Sequence, residues 1–491
     1  MSKRKERPLI GVDDRVSVAR AIPLGIQHFM SMFGSTVLVP FLTGMSPSLA
    51  IMCSGIGTIL YLLVTRGKIP SYLGSSFAFI TPITLVMADQ GPSAVGGALI
   101  VTGLVYVIVA GIIKVAGTGW LDRILPAPVV APVIIVIGLG LSATAIKMAF
   151  FNGGYDSGAP FSYEGLAVAT ITLVVSIVFS TCFTGFWSTI PVLVGVIVGY
   201  ICAVGLGMVD FQPIIDATWV GLPSIHAPSF DLGAIILIAP VAIVIIIEHI
   251  GHLLVVGEVV GKNYNPMLPQ SLLGDGLSTI ASGFLGGTPT TTYAENIGVM
   301  SATRVYSTQI FWYAGGFAFV IGGFCPKLEA LINSIPTSVM GGVSLLLFGL
   351  IASNGLRMLV SNRVDFSKAR NLMLVSAILV VGVGMETAGI KIPIGAYEIP
   401  GMATSAIIGI VLNLALPKDT VADNTYPAGA HGGDLPVRQE EGGAASAAQA
   451  AKPAAEAPAT EATAPAPAAK PASAQNETRA AKAADQAEQD A

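Results

Sequence analysis

Charge is what this sequence has least of. Only 11% of its 491 residues are Asp, Glu, Lys or Arg, against roughly 25% in ordinary soluble domains. Hydrophobic residues make up 53%, and the mean hydropathy is +0.75. No water-soluble core could hide that much apolar surface. The composition excludes a soluble globular protein and points to a chain that crosses a bilayer many times. Cysteine is almost as scarce. Cys53, Cys182, Cys202 and Cys325 all lie in apolar runs and form no C-x-x-C pair, which argues against a disulfide scaffold or a thiolate metal site. The basic start MSKRKERPLIGVDDR has no apolar run directly behind it and no evident cleavage site, so a removable signal peptide is not expected. The net charge of −4 says little, because charge here is arranged loop by loop. Nucleic acid is not expected as a partner.

What is present is a succession of apolar segments. Fourteen run between residues 22 and 416: 22–44, 48–65, 75–89, 95–116, 125–147, 166–184, 188–209, 231–258, 270–286, 288–304, 307–325, 336–353, 371–388 and 398–416. A full crossing needs roughly 17–25 residues. Lysine and arginine test the count, because cytoplasmic loops carry their excess. Connections after even-numbered segments hold Arg66, Lys68, Lys114, Arg123, Lys262, Arg304, Arg357, Arg363, Lys368 and Arg370. Those after odd-numbered segments hold only Lys147, Lys327 and Lys391. The split predicts both termini on the cytoplasmic side and the stretch 210–230, which lacks Lys and Arg, facing outward. Beyond Pro417 the sequence turns Ala- and Pro-rich with one aromatic, Tyr426. The tail 418–491 therefore reads as disordered.

Two segments are poor continuous helices. The third opens on SYLGSSFAFITPI, and the tenth contains GGTPTTTYAENIGV. They stand seven apart in a set of fourteen. Two halves of seven would be inverted relative to each other, and interrupted segments at matching places point to a transporter's midplane site.

The eighth segment raises the chemical question. In VAIVIIIEHIGHLL (241–254), Glu248, His249 and His252 interrupt a strongly apolar run. Insertion scales put a charged side chain at a helix centre at about +2.5 to +3.5 kcal/mol. On a helix Glu248 and His252 share a face, while His249 points elsewhere and is expected to hydrogen-bond another helix. A second carboxylate, Glu295, lies in the interrupted tenth segment. Two acids, an imidazole that titrates near neutrality and broken backbone suit recognition of a small polar molecule with proton movement. The bland alternatives are a structural ion pair for Glu248 and a satisfied core histidine for His252. A zinc protease is disfavoured, because H-e-x-x-H needs histidines four apart around the Glu. Asp275, in LLGDGLSTIASG, reads either as a group tuning Glu248 or His252 or as a helix cap. Gln27 and His28 read as interior braces.

These blocks resemble the nucleobase–ascorbate transporter family (nucleobase/cation symporter-2), and within it the bacterial members that carry uracil. The matching pieces are QHFMSMFGSTVLVP, GKIPSYLGSSFAFITP, AGTGWLD, EHIGH, TTTYAENIGVMSATRVYST and IPTSVMGGVSLLLFGLIASNGLR. The family's N-x-G-x-x-x-x-T-[RKG] element stands as Asn296, Gly298, Thr303 and Arg304. The resemblance implies an all-α polytopic fold of fourteen spans in two inverted seven-span repeats, with short antiparallel strands in spans 3 and 10. After a cytoplasmic 1–20, a core domain would comprise 21–124 and 231–326, and a gate domain 125–230 and 327–417. It also implies proton symport with no other cofactor, a homodimer, and residence in the bacterial plasma membrane. Carried over by position, Glu248 and Glu295 hold substrate and His252 is linked to the proton. Phe77 and Ala294 would offer backbone N–H groups, with Tyr293 and Asn296 in support. Ala294 replaces a Gly common there. Glu295 argues for a pyrimidine, because purine-carrying members often have Gln at this place. The rivals are a purine or xanthine permease and an anion carrier of the same fold, whose site should lack the two acids.

Overall fold

The computed structural model of the chain describes residues 10–151, 160–394 and 397–417. The tail 418–491 and the first nine residues lie outside these. In a bilayer core every backbone N–H and C=O must find a partner within the protein, which leaves helices as the economical conformation for apolar runs. All fourteen segments hold a helix. Among the described residues eight are long and apolar enough to cross a membrane: Val18–Thr43, Pro47–Val64, Pro92–Ala116, Ala127–Phe150, Tyr163–Cys182, Leu232–Val260, Thr337–Ser361 and Ala369–Ala388. A ninth follows if Thr308–Phe324 and Pro326–Asn333, bent by 83°, count as one. Helices Pro191–Gly205 and Gly401–Ala415 are shorter, and Leu268–Leu285 carries too many polar residues to pass on hydropathy.

The third and tenth segments depart most from a plain crossing. Leu73–Ser75 and Thr290–Thr292 are three-residue strands paired antiparallel, with Leu73 opposite Thr292, Gly74 opposite Thr291 and Ser75 opposite Thr290. The ladder gains one bond at each end, from Ser76 N–H to Pro289 C=O and from Tyr293 N–H to Tyr72 C=O. Each strand runs into a half-length helix: a 3-10 turn Phe77–Phe79 continuing as Ile80–Asp89 on one side, and Ala294–Thr303 on the other. Gly74 is required at the crossing. A Cβ there would lie 2.5 Å from the Tyr293 ring and 2.7 Å from Thr36 Oγ1.

Small residues set the helix packing, as they do where lipid offers no hydrophobic drive between helices. Pro92–Ala116 and Leu268–Leu285 pack backbone to backbone at two glycine pairs. A Cβ on Gly103 would sit 2.6 Å from the Gly276 carbonyl, and one on Gly96 would sit 2.6 Å from that of Gly283. Pro47–Val64 packs on Thr308–Phe324 in the same manner through Gly55 and Gly315. Tyr163–Cys182 pairs with Pro191–Gly205, and Ala369–Ala388 with Gly401–Ala415.

The eighth segment is broken near its start. Leu232–Ile238 gives way at Pro240 to a 3-10 turn before Ala242–Val260. Asp231 caps the first piece by accepting from Ala234 N–H. Asp275 is not a cap: it lies in the middle of Leu268–Leu285. The capping alternative fails because the helix begins at Leu268, with Met267 at the cap position, well upstream of Asp275.

Candidate functional site

The antiparallel strand pair places the start of one half-helix at each end of its short ladder. Phe77 opens one and Ala294 the other, each directly past its strand. A helix start exposes backbone N–H groups without intrahelical partners and carries partial positive charge. Glu295 sits in the first turn of the second half-helix, and Ser35 Oγ from Val18–Thr43 donates to its Oε1 at 2.6 Å. Ser35 thus ties the first turn of this half-helix to Val18–Thr43.

Ala242–Val260 passes beside the strands. Its continuous α-helix puts Glu248 and His252 on one face, and both are half-buried. Glu248 interacts electrostatically with Glu295 and with Asp275. His252 Nδ1 is 3.2 Å from Thr292 Oγ1, on the strand itself. Phe77 is buried, with its ring edge-on to Phe348 at 6.0 Å between centroids. Glu248, His252, Ala294, Glu295 and Phe77 are thus gathered around the strand crossing.

His249 turns away into a fully buried cluster. Its Nδ1 lies 2.9 Å from Asp275 Oδ2 and its Nε2 2.8 Å from Ser271 Oγ, which also contacts Tyr61 OH at 2.6 Å. Asp275 therefore meets His249 directly and reaches Glu248 through space. Tyr293 OH donates to the Ser75 carbonyl at 2.7 Å, which locks one strand to the other. Asn296 Nδ2 donates to the His28 carbonyl and lies 3.1 Å from its Nδ1. Gln27 Nε2 donates to Thr189 Oγ1 at 2.8 Å. Gln27, His28, Tyr293 and Asn296 all brace the scaffold around the crossing.

Sequence reasoning passed over Ser35, Thr292 and the paired hydroxyls Ser75 and Thr288, 2.6 Å apart. A Ser in a membrane helix, such as Ser35, bonds its own preceding turn so often that position alone does not mark it. Ser75, Thr288 and Thr292, in or beside the strands, find these partners only once distant segments meet. Among the described residues no three His, Cys, Asp or Glu side chains are grouped to hold a metal ion. A cavity of about 470 Å3 lies apart from the crossing, lined by Phe41, Met45, Met87, His226, Glu329 and Asn333 among others.

Solved structures share the architecture at low identity. The transmembrane domain of the cyanobacterial bicarbonate transporter BicA superposes with a TM-score of 0.59 at 16% identity, covering 78% of this chain and 99% of that one. SLC26A9 gives 0.63 at 11% identity, covering 81% and 64%. Sequence relatives are far nearer. The "Uracil permease" of Bacillus subtilis (strain 168) is 48% identical, covering 87% of this chain and 99% of its own. The "Uracil permease" of Escherichia coli (strain K12) is 46% identical, covering 85% and 97%. The family model Xan_ur_permease, described as the Permease family, matches residues 19–390. With a matching family model across three quarters of its length and relatives aligned almost end to end, this multi-pass membrane chain belongs to the nucleobase–ascorbate transporter family of permeases.

Proposed function

We propose that the chain is a proton-coupled symporter that imports uracil across the bacterial plasma membrane by alternating access. The observation that carries this reading is the meeting of Glu248, Glu295 and two half-helix starts at one strand crossing, in a chain nearly half identical to proteins named uracil permease. Uracil is neutral and planar, with two N–H donors and two carbonyl acceptors. Glu295, steadied by Ser35, accepts one N–H. A protonated Glu248 accepts the other through its C=O and donates its O–H to the neighbouring uracil carbonyl. Backbone N–H groups at Phe77 and Ala294 serve the remaining acceptor, aided by the helix dipoles. An analogue lacking one of these groups leaves a buried partner unpaired and is rejected.

Coupling follows from the cost of a bare charge at this depth. Glu248 takes a proton from outside, with His252 as relay, and carries it with uracil. Opening to the cytoplasm rehydrates the site and releases both. No covalent chemistry is involved; one proton and one uracil enter together.

The frame for this movement is fourteen spans in two inverted repeats. The pattern of close pairings supports it. Spans 4 and 9 pack on each other, as do 2 and 11, and adding seven exchanges the two couples. Spans 6 and 7 likewise exchange with 13 and 14. The strand pair, between spans 3 and 10, maps onto itself. The core domain would comprise 21–124 and 231–326, the gate 125–230 and 327–417, with both termini cytoplasmic and the unit a homodimer.

Proteoliposome uptake tests the function. Labelled uracil should accumulate when the lumen is alkaline and stop when the gradient is collapsed. Uptake indifferent to the gradient would remove the coupling. A purine-carrying permease is the second reading, and the 16% identical bicarbonate transporter BicA makes anion carriage a third. Counterflow with unlabelled uracil, xanthine or sulfate separates them, and only uracil or a close pyrimidine should drive exchange.

A further inference from the structure

The half-helix that follows Phe77 is held to the other side of the molecule at a second point. Thr81, one turn beyond Phe77, donates its hydroxyl to Glu386 Oε2 at 3.1 Å. Glu386 lies near the end of Ala369–Ala388, another lone carboxylate in an apolar run. Its Oε1 accepts from Met402 N–H at 2.8 Å, so the same side chain caps Gly401–Ala415, whose own cap position is Pro400. Room for it comes from Gly140: a Cβ there would stand 3.0 Å from that of Glu386. Phe77 against Phe348 and Thr81 against Glu386 are therefore two rungs along one seam.

The partner half-helix meets the other side differently, with Ala294–Thr303 packed beside Phe186–Thr189. Equating Gly74 with Thr291, as the strand register does, equates Phe77 with Ala294 and Thr81 with Gly298. Gly298 is exposed, and a Cβ there would meet nothing within 4 Å. The segment equivalent to Ala369–Ala388 is Tyr163–Cys182, whose last turn holds no carboxylate. Among the described residues the Thr81–Glu386 tie has no counterpart at the equivalent position, although core and gate also meet through Gln27 and Thr189.

We propose that Thr81 and Glu386 form a latch between core and gate, positioning residues that hold the outward route shut while the site opens inward. This rests on the core, gate and orientation assigned above. Opening outward requires the hydroxyl–carboxylate bond to part, whereas opening inward leaves it made. Glu386 keeps its bond to Met402 in either state, so it remains satisfied on the gate side when Thr81 leaves.

The test uses the full chain with its four cysteines replaced by serine and a single reporter, Phe348→Cys, on the seam. A membrane-impermeant maleimide is applied to right-side-out vesicles without substrate. Thr81→Val, which keeps the shape and loses the donor, should raise the external labelling rate about tenfold, the scale of one lost hydrogen bond to a charged group. Thr81→Ser should restore the parent rate. A structural role alone would lower the amount of folded protein without altering sidedness. External labelling unchanged in Thr81→Val, or raised equally in Thr81→Ser, overturns the latch. If Thr81→Val does not reach the membrane, Thr81→Ala takes its place under the same criteria. No transport is measured, so a failure here is distinct from a failure of the uracil assignment.

Discussion

Ser35 reaches Glu295 across 260 residues of sequence, and its hydroxyl holds one oxygen of the carboxylate that the proposed site turns toward uracil. Removing it with Ser35→Ala should raise the uracil KM about tenfold, or ~1.4 kcal/mol, with little change in maximal rate. Glu295→Gln should cut uptake at least roughly a hundredfold, because an amide offers a donor where the ligand needs an acceptor. Glu248→Gln should cut proton-driven uptake as far, because an amide keeps the hydrogen-bond pattern of the protonated acid but has no proton to release. Near-normal transport by both would dissolve the site. At this scale much was legible. Glu248 and His252 announced themselves because a charge in an apolar run is costly, and their spacing put them on one face. Glu386 gave the same signal in VVGVGMETAGI, but it lies beside a segment end, where such residues commonly face water. The meeting of Asp275 with His249 was illegible beyond the expectation of an interhelical bond, since nothing in either residue names a partner 26 positions away.

At the scale of elements, the breaks in spans 3 and 10 could be read from their Gly, Ser, Thr and Pro content. That they pair with each other could not be read from those residues, because three-residue strands carry too little pattern to specify a partner; it was an expectation of the resemblance. Close helix contact is likewise silent in sequence: Gly103 and Gly276 look like any other glycines in this Gly-rich chain until their helices touch. Gly276→Leu would force side-chain bulk against the Gly103 carbonyl and Tyr106. Overpacking of that kind costs about 1–3 kcal/mol, and the purified protein should melt a few degrees lower, by roughly 2–4 °C per kcal/mol lost. Gly298→Ala, with open space around it, should leave the melting temperature within about a degree. Equal effects at the two sites would contradict the packing described.

For the whole molecule, the even count of segments and the skew of lysine and arginine suggested orientation before any coordinates. By length and hydropathy the described residues hold eight or nine helices able to cross a membrane; the other apolar segments of the sequence hold half-length helices, two helices of 15 residues or the more polar Leu268–Leu285. The orientation is checked directly. A cysteine at Ser224, in the stretch 210–230, should react with an impermeant reagent in right-side-out vesicles and stay silent in inside-out ones. One at Arg363 should do the reverse. Matched labelling of both positions from the same side would refute the seven-plus-seven arrangement.

The antiparallel pair Leu73–Ser75 with Thr290–Thr292 has a consequence for biogenesis. The first strand is synthesised more than two hundred residues before the strand it pairs with. Thr58 and Ser54 already meet the N–H and C=O of Leu73. Until Thr290–Thr292 is threaded into place, however, the backbone groups of Gly74 lack their ladder partner, and each unmet amide at membrane depth costs several kcal/mol. A ribosome stalled before residue 290 would leave a product that quality-control proteases should recognise, however well its early helices have inserted. The strand crossing therefore matures only once the tenth segment has been made.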